Sequence, residues 1–568
     1  MPDTTIDKKQ DFLLLGVIFL SILSFSRIFF VNNIFWDDNC WFLSIFSSNN
    51  LDQFLNTGFV ELQRTTNGTL LYYFFNLHKT SNYFNLIGHL LNMLTQIASP
   101  VMLYLLIKNL FLENNLLAFL ISGYFIIFPM DATLPIYYTM GYRISIMLSL
   151  FSFYLTERVL AKNLRWFFLG LAFIISGISG YFFMEGVIAL EFARLFIIWF
   201  ILRNNGLEGS RLLKKSLLIW APFVFLFLPL SIYKLLHKPY GFYAGTYITD
   251  FNFFLNWLLH KQLFAHLLFY QWFCFLRRNI FDATIWSLIL TFSGGALLTY
   301  LFKQDRLISK WETFLLPNEG LKGITLSHRF ILLLGLLFFI PPLLMYEFTG
   351  KVPFVGVDSR HGIVLQVGNA IIFGCLLYIF YQFFLSSRYR LRLFKVFLVV
   401  LFSLGVFFNN FFLDLYLKGS KQRTQFWNAF TTRFPSIPDN AVFIIDIDCD
   451  DYFSRLSLVG RYYLELPLNL LYAKSDNPNE FRRFKVFAPY EIKEKVFFKR
   501  HVQHGYDVFD SNRVIGVYYN CSDGKLFVNR EILKARPGIS YKDLINKDFP
   551  KLPKSISYPL RHKMWGFL

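Results

Sequence analysis

Charge and cysteine are scarce in this 568-residue chain. Only 16% of its residues are Asp, Glu, Lys or Arg while 55% are hydrophobic, too little charge to cover a soluble multidomain protein, so the composition is that of a polytopic membrane protein. The five cysteines, Cys40, Cys274, Cys375, Cys449 and Cys521, include no Cys-x-x-Cys and no metal-ligand spacing, which removes a zinc site and a dense disulfide framework. A Cys449–Cys521 bridge outside the membrane is open but has no support in the sequence. Acid is short relative to base, 37 residues against 56. In a membrane chain that surplus is most simply the basic bias of cytoplasmic loops, so nucleic acid is not an expected partner. No repeat and no low-complexity segment stands out in the C-terminal tail, which excludes a solenoid there.

What is present is a series of apolar runs of about 20 residues, each enough to cross ~30 Å of hydrocarbon. The first covers 11–31 behind Lys8 and Lys9. It is long for a signal peptide and no small-residue cleavage site follows, so it reads as a retained span with its N-terminus in the cytoplasm. Further runs cover 84–107, 115–130, 141–157, 166–183, 186–202, 216–233, 283–302, 329–347, 363–385 and 394–415, which makes about eleven spans. With the N-terminus inside, the basic clusters Arg158/Lys162/Arg165, Arg211/Lys214/Lys215, Lys303/Arg306/Lys310 and Arg388/Arg390/Arg392/Lys395 all fall in cytoplasmic loops. The segment 251–276, aromatic but interrupted by His260, Lys261, His266 and Gln271, either lies in the interface or spans, and spanning would invert the later orientations.

The expected architecture is therefore an α-helical polytopic domain over 1–415, with an outer loop at 32–83, followed by a small mixed α/β domain over 416–568 on the extracytoplasmic face. Strand-like stretches at 441–447 and 514–519, separated by Pro, Asn, Asp and Gly, support that second domain. Its 25 Lys and Arg against 16 Asp and Glu suit an anionic membrane surface or glycan, or describe an ordinary basic domain. The run Asp446, Asp448, Asp450, Asp451 lacks the glycine and terminal Glu of a calcium loop and reads as a strand end with a polar turn.

The ionisable residues on the non-cytoplasmic side come from separate hairpins yet share one depth: Asp37, Asp38, Glu61, Arg64, His89, Asp131, Arg143, Glu185, Asp358, Arg360 and His361. Charges at membrane depth are expensive and usually functional. Arginine suits phosphate because its planar fork binds two oxygens and keeps its charge, and a carboxylate beside it can take the proton of an attacking hydroxyl or amine. A transporter would instead concentrate such groups near the midplane, at broken helices of repeated halves.

Several short patterns, in order, resemble the integral-membrane glycosyltransferases of the GT-C fold, in particular the O-mannosyltransferase-like branch. The acidic pair after the first helix is Phe35-Trp36-Asp37-Asp38. Arg64-Thr65-Thr66 stands where that family has Arg-Pro-Leu, without the proline. Asn85 to His89 matches Asn-x-x-x-His. Gly141-Tyr142-Arg143 resembles Gly-Arg with one residue inserted, Met184-Glu185 resembles Lys-Glu without the lysine, and Asp358-Ser359-Arg360-His361 resembles Glu-Arg-Tyr.

The resemblance spans about 11–385 and implies an enzyme that takes a sugar from a polyprenyl-phosphate donor and transfers it with inversion to an extracytoplasmic glycan, lipid or protein. It implies Asp37 as general base, with Asp38 orienting the acceptor or, as the weaker alternative, helping to hold a divalent cation. Arg64, Arg143 and Arg360 would bind the donor phosphate, supported by His89, Glu185, Asp358 and His361. No cofactor is otherwise implied. Each arginine also fits an interfacial residue that snorkels to the surface, and a lipid-linked glycan transporter, or a polymerase or ligase of polyprenyl-diphosphate glycans, are the competing functions.

Overall fold

The computed structural model describes residues 7–31, 37–57, 59–60, 64–80, 84–111, 114–128, 131, 133–162, 164–237, 283–303, 328–348, 360, 362–385, 387–437, 441–449, 461–472, 484–487, 492–493, 496–497 and 514–528. The stretch 251–276 lies outside them, as do Glu61, Asp358 and His361. For Asp37 and Glu185 only the backbone is described.

The helices are α1 (Asp7–Phe25), α2 (Asp37–Phe46), α3 (Leu51–Leu55), α4 (Thr65–Thr80), α5 (Phe84–Leu110), α6 (Asn115–Ile127), α7 (Met140–Lys162), α8 (Phe167–Ile178), α9 (Glu191–Asn204), α10 (Gly209–Leu236), α11 (Ile285–Lys303), α12 (His328–Phe348), α13 (Ile363–Phe384), α14 (Arg388–Arg433) and α15 (Arg461–Tyr472). Among the described residues, eight helices are long and apolar enough to cross a bilayer. Helices also stand at the other three expected spans, but α6, α8 and α9 are only 13, 12 and 14 residues long.

Burial explains how α6 can be so short. Helix α6 is buried on all sides, every residue except Leu116, and packs against α1, α5, α13 and α14. A helix that is hydrophobic all round belongs in the middle of a bundle. Close approach depends on glycine: a Cβ at Gly374 of α13 would lie 2.6 Å from the Ile121 Cα of α6, and one at Gly368 would lie 2.7 Å from the Phe339 backbone nitrogen of α12. Small residues let membrane helices approach in this way, since lipid gives no hydrophobic drive to hold them together.

Helices α8 and α9 form one broken hairpin. Chain 179–183 is a π-helical turn, Met184 is extended (φ −153°, ψ 119°) and 185–190 is a 3₁₀ turn. Gly177 and Gly180 face Leu226 and Phe227 of α10, whereas the Trp220 indole donates to the Glu191 carbonyl at 2.8 Å. The apex near Met184 therefore points toward the same end of the bundle as the C-terminal part of α10.

The connection between α1 and α5 is itself folded. Helices α2, α3 and α4 enclose a second small core of Trp41, Phe42, Ile45, Phe46, Phe54, Phe59, Leu71 and Phe75, closed by Phe84 and Tyr137. Trp41 is buried there and stacks on Tyr138 at 5.6 Å between ring centroids.

The tail is a mixed α/β domain. A four-stranded sheet of β1 (Val442–Asp448), β2 (Lys485–Phe487), β5 (Val514–Asn520) and β6 (Lys525–Val528) has the order β2-β1-β5-β6. Helix α15 links the parallel pair β1 and β2, as parallel strands require; β5 is parallel to β1, and β6 antiparallel to β5. A separate hairpin joins β3 (Ile492–Lys493) and β4 (Val496–Phe497). Cys449 and Cys521 form a disulfide at the ends of β1 and β5, with Cα atoms 5.1 Å apart.

The expected boundary at 415–416 falls inside α14, a single helix of 46 residues. Its last turns supply Phe426, Trp427 and Phe430 to the core of the tail, against Phe443, Ile445, Ile515 and Tyr519. From the other side α15 packs against α2, so the tail rests on the helix that begins with the acidic pair.

Candidate functional site

Asp37 is the first residue of α2. The next residue, Asp38, is fully buried, and its carboxylate accepts the backbone N–H groups of Tyr137 and Tyr138, each at 2.7 Å. Bonds from amides to a carboxylate belong to the strong, charge-assisted class. Asp38 is thus a tie between α2 and the segment leading into α7.

Tyr137 extends that tie. Its hydroxyl donates to the Asn85 Oδ1 at 2.7 Å and lies 3.3 Å from the His89 Nε2. Burial, and then the Asp38 charge, pushes the Tyr137 phenol well above its ordinary value near 10.0. His89 Nε2 donates to the Val31 carbonyl, which joins α5 to the end of the first span, while its buried Nδ1 has no hydrogen-bond partner among the described residues.

Arg143, in the first turn of α7, is 2% exposed. Asp131 accepts from it twice, at Nε and at NH2 (3.1 Å to Oδ1). Asn92 Oδ1 takes NH1 at 2.8 Å, and the Thr133 and Thr139 hydroxyls take NH2 at 3.3 and 3.2 Å. The guanidinium fork expected to meet a phosphate is here closed by a carboxylate of its own chain.

Arg64 stands at the N-terminus of α4, where its carbonyl accepts the Gly68 N–H at 2.9 Å and its side chain is half-buried. No acidic residue occupies the first turn of α4, so the positive end of the helix and a guanidinium share one place, an arrangement that favours an anion. Two residues further on, Thr66 Oγ1 donates to the Tyr181 carbonyl and Asn67 Nδ2 to the Phe183 carbonyl, both at 2.8 Å. These bonds bring α4 onto the apex that carries Glu185, and they occupy the amide of the Asn67-Gly68-Thr69 sequon. A Cβ on Gly141 would lie 3.9 Å from the Asn67 Nδ2, which places the start of α7 in the same group.

The N-termini of α2, α4 and α7, the 133–139 segment and the 181–185 apex therefore meet at one end of the bundle. Arg360 immediately precedes α13 and is half-buried; Gln366 of α13 donates to the Phe125 carbonyl of α6, so Arg360 belongs to the end of α6 from which the chain continues to Asp131. No group of three or more metal-ligating side chains gathers among the described residues.

Two further charge networks are absent from the sequence reading. Arg27 pairs with Asp414 of α14, and Asp414 also accepts the Thr284 N–H and hydroxyl at 2.9 and 3.0 Å and the Ser287 hydroxyl. Glu191 and Arg194 pair within α9, with Arg194 donating to Thr156 Oγ1 and Ser152 Oγ at 2.6 and 2.9 Å and Ser176 donating to Glu191 at 2.7 Å. The Phe153 and Phe223 rings cover the Arg194 guanidinium at 4.2 and 4.1 Å. The i,i+3 spacing of Glu191 and Arg194 was visible in the sequence, but Asp414 is 387 residues from Arg27 and no local pattern joins them.

Neither a protein-family model nor a curated protein matches this chain.

Proposed function

We propose that the protein is a membrane glycosyltransferase that passes a sugar from a polyprenyl-phosphate donor to an acceptor outside the cytoplasm. The observation that carries this reading is the meeting of two helix N-termini: α2, which begins with Asp37, and α4, which begins behind Arg64, are held at the same end of the bundle by Asp38, Asn67 and Thr66. An activating carboxylate and an anion-binding helix end are the two parts such a transfer needs.

In this mechanism the Asp37 carboxylate takes the proton of the acceptor hydroxyl. The acceptor oxygen forms a bond to the anomeric carbon from the face opposite the phosphate, the carbon–phosphate-oxygen bond breaks, and polyprenyl phosphate leaves with its charge held by Arg64 and Arg360. Inversion follows from the single displacement. Arg143, closed by Asp131, and Asp38, bonded to backbone, position the site; His89 fixes the end of the first span. Glu185, Asp358 and His361 remain supporting candidates on this reading, and a divalent cation would need ligands beyond Asp38.

The Cys449–Cys521 disulfide supports the extracytoplasmic placement of the tail, since such bonds persist in oxidising compartments. By its contact with α2 the tail then lies on the acceptor side, with the N-terminus inside. Asp37→Asn tests the assignment: transfer from a panel of radiolabelled polyprenyl-phosphate sugars falls by at least ~10³-fold at unchanged expression and unfolding temperature. Full turnover by the variant removes Asp37 from the chemistry.

A second reading, a lipid-linked glycan transporter, draws on the Glu191–Arg194 pair. Its partners Ser152 and Thr156 lie about 14–20 Å along α7 from Arg143 at ~1.5 Å per residue, near the middle of that span, which is where a transporter keeps its charges. Movement of lipid-linked sugar across proteoliposomes with no new glycosidic bond would favour it.

A further inference from the structure

The end of the bundle opposite the acidic pair holds a cavity of about 420 Å³ between α13 and α14, lined by Leu377, Phe380, Phe384, Leu393, Phe394 and Phe397 and by the stem of Arg390. We infer that this groove binds an anionic glycerophospholipid of the surrounding bilayer, with an acyl chain along the phenylalanines and the headgroup phosphate at Arg390.

Three features carry this. First, the groove is apolar along its length and has the stem of one cationic side chain at its end. Arg390 lies in the first turn of α14, while Phe394 and Phe397 follow one and two turns deeper and Phe384, Phe380 and Leu377 recede in step along α13. A molecule filling it has a polar head at one end and ~10 Å of hydrocarbon beyond.

Second, the charge at its mouth runs against the helix. The first two turns of α14 carry Arg388, Arg390, Arg392 and Lys395, no acid stands in the first turn, and Ser387 gives no side-chain cap. Cations at the positive end of a helix repel it; an anion answers both the exposed arginines and the N-terminal amides at once. Third, the depth is right. Asp414 lies about 36 Å further along the same helix at ~1.5 Å per residue, so with Asp414 at one face of a ~30 Å hydrocarbon layer Arg390 stands at the other.

This site is independent of the proposed transfer reaction and of the outer cluster. Native mass spectrometry of the full-length protein in a mild detergent, titrated with phosphatidylglycerol or phosphatidylcholine of the same chains, tests it. Wild type retains one phosphatidylglycerol in at least fivefold excess over phosphatidylcholine, Arg390→Gln abolishes that preference, and Lys214→Gln, a control on the exposed start of α10, keeps it. Phe394→Asp gives a second reading by closing the tail groove to hydrocarbon, and lowers retention of both lipids if the chain lies there.

Equal retention of the two lipids by wild type, or an undiminished preference in Arg390→Gln, overturns the inference. So does tighter retention of polyprenyl monophosphate than of phosphatidylglycerol, which would make the groove a path for substrate.

Discussion

The Arg143 and Arg194 sites are built from the same ingredients and used differently. Both arginines are almost wholly buried, and both are satisfied by one carboxylate and a set of hydroxyls. Arg194 finds its carboxylate three residues away on its own helix, and two phenylalanine rings seal it from every change at the surface. Arg143 reaches out of its helix to Asp131 and Thr133 in a connecting segment and to Asn92 on α5. That segment is the one Asp38 holds two bonds away. A charge pair confined to a helix staples a bundle, whereas one that spans a loop transmits the position of that loop, and only the second kind lies beside the residues proposed to react.

The largest effect separating the two falls on stability at the inner site. Arg194→Met leaves Glu191 buried without its partner and is expected to cost about 3–5 kcal/mol, read as thermal unfolding in detergent; pairing it with Glu191→Leu should recover much of that loss. Failure of the double variant to recover would mean that the pair does more than satisfy itself, and would strengthen the transporter reading.

Asp131→Asn keeps the shape at the outer site but removes the countercharge, for an expected loss of about 2–3 kcal/mol. Here transfer activity should fall at least tenfold at a temperature where the variant remains folded, whereas a folded inner variant should transfer normally. Equal activity losses at the two sites would erase the distinction.

Asp38→Asn still offers one acceptor oxygen to the paired amides but no charge, with an expected cost of about 1–2 kcal/mol. The same measurement on Tyr137→Phe should show about 1 kcal/mol for the lost bond to Asn85. Because the folded protein holds the Tyr137 phenol above its ordinary value, that contribution is complete below pH ~10 and is lost as pH rises toward the folded value. Tyr137→Phe should therefore flatten the alkaline edge of the wild-type stability curve.

The long helices were legible because ~20 apolar residues in a row have one low-energy arrangement in lipid. The helices inside the 32–83 loop were not, since Asp37 to Phe46 carries neither the length nor the uniform polarity that marks a span. The candidate residues were found by sidedness, which reports depth and nothing about direction. Hence Asp38 and Arg143 were expected on one side of the membrane, yet their partners, two backbone amides and Asp131, follow only from how the connecting segment turns. The Arg27–Asp414 pair escaped for a related reason: each residue alone reads as an ordinary end of a span.

Helix α14 has one more consequence. It is a rod of about 69 Å at ~1.5 Å per residue, rooted in lipid at Arg390 and built into the tail through Phe426, Trp427 and Phe430. A tilt of only about 5° about its membrane end, the kind of adjustment a span makes to a thicker or thinner bilayer, would sweep the far end through roughly 6 Å. Since α15 of the tail leans on α2, the lever ends beside Asp37, and such a tilt would be felt by the helix that carries the acidic pair.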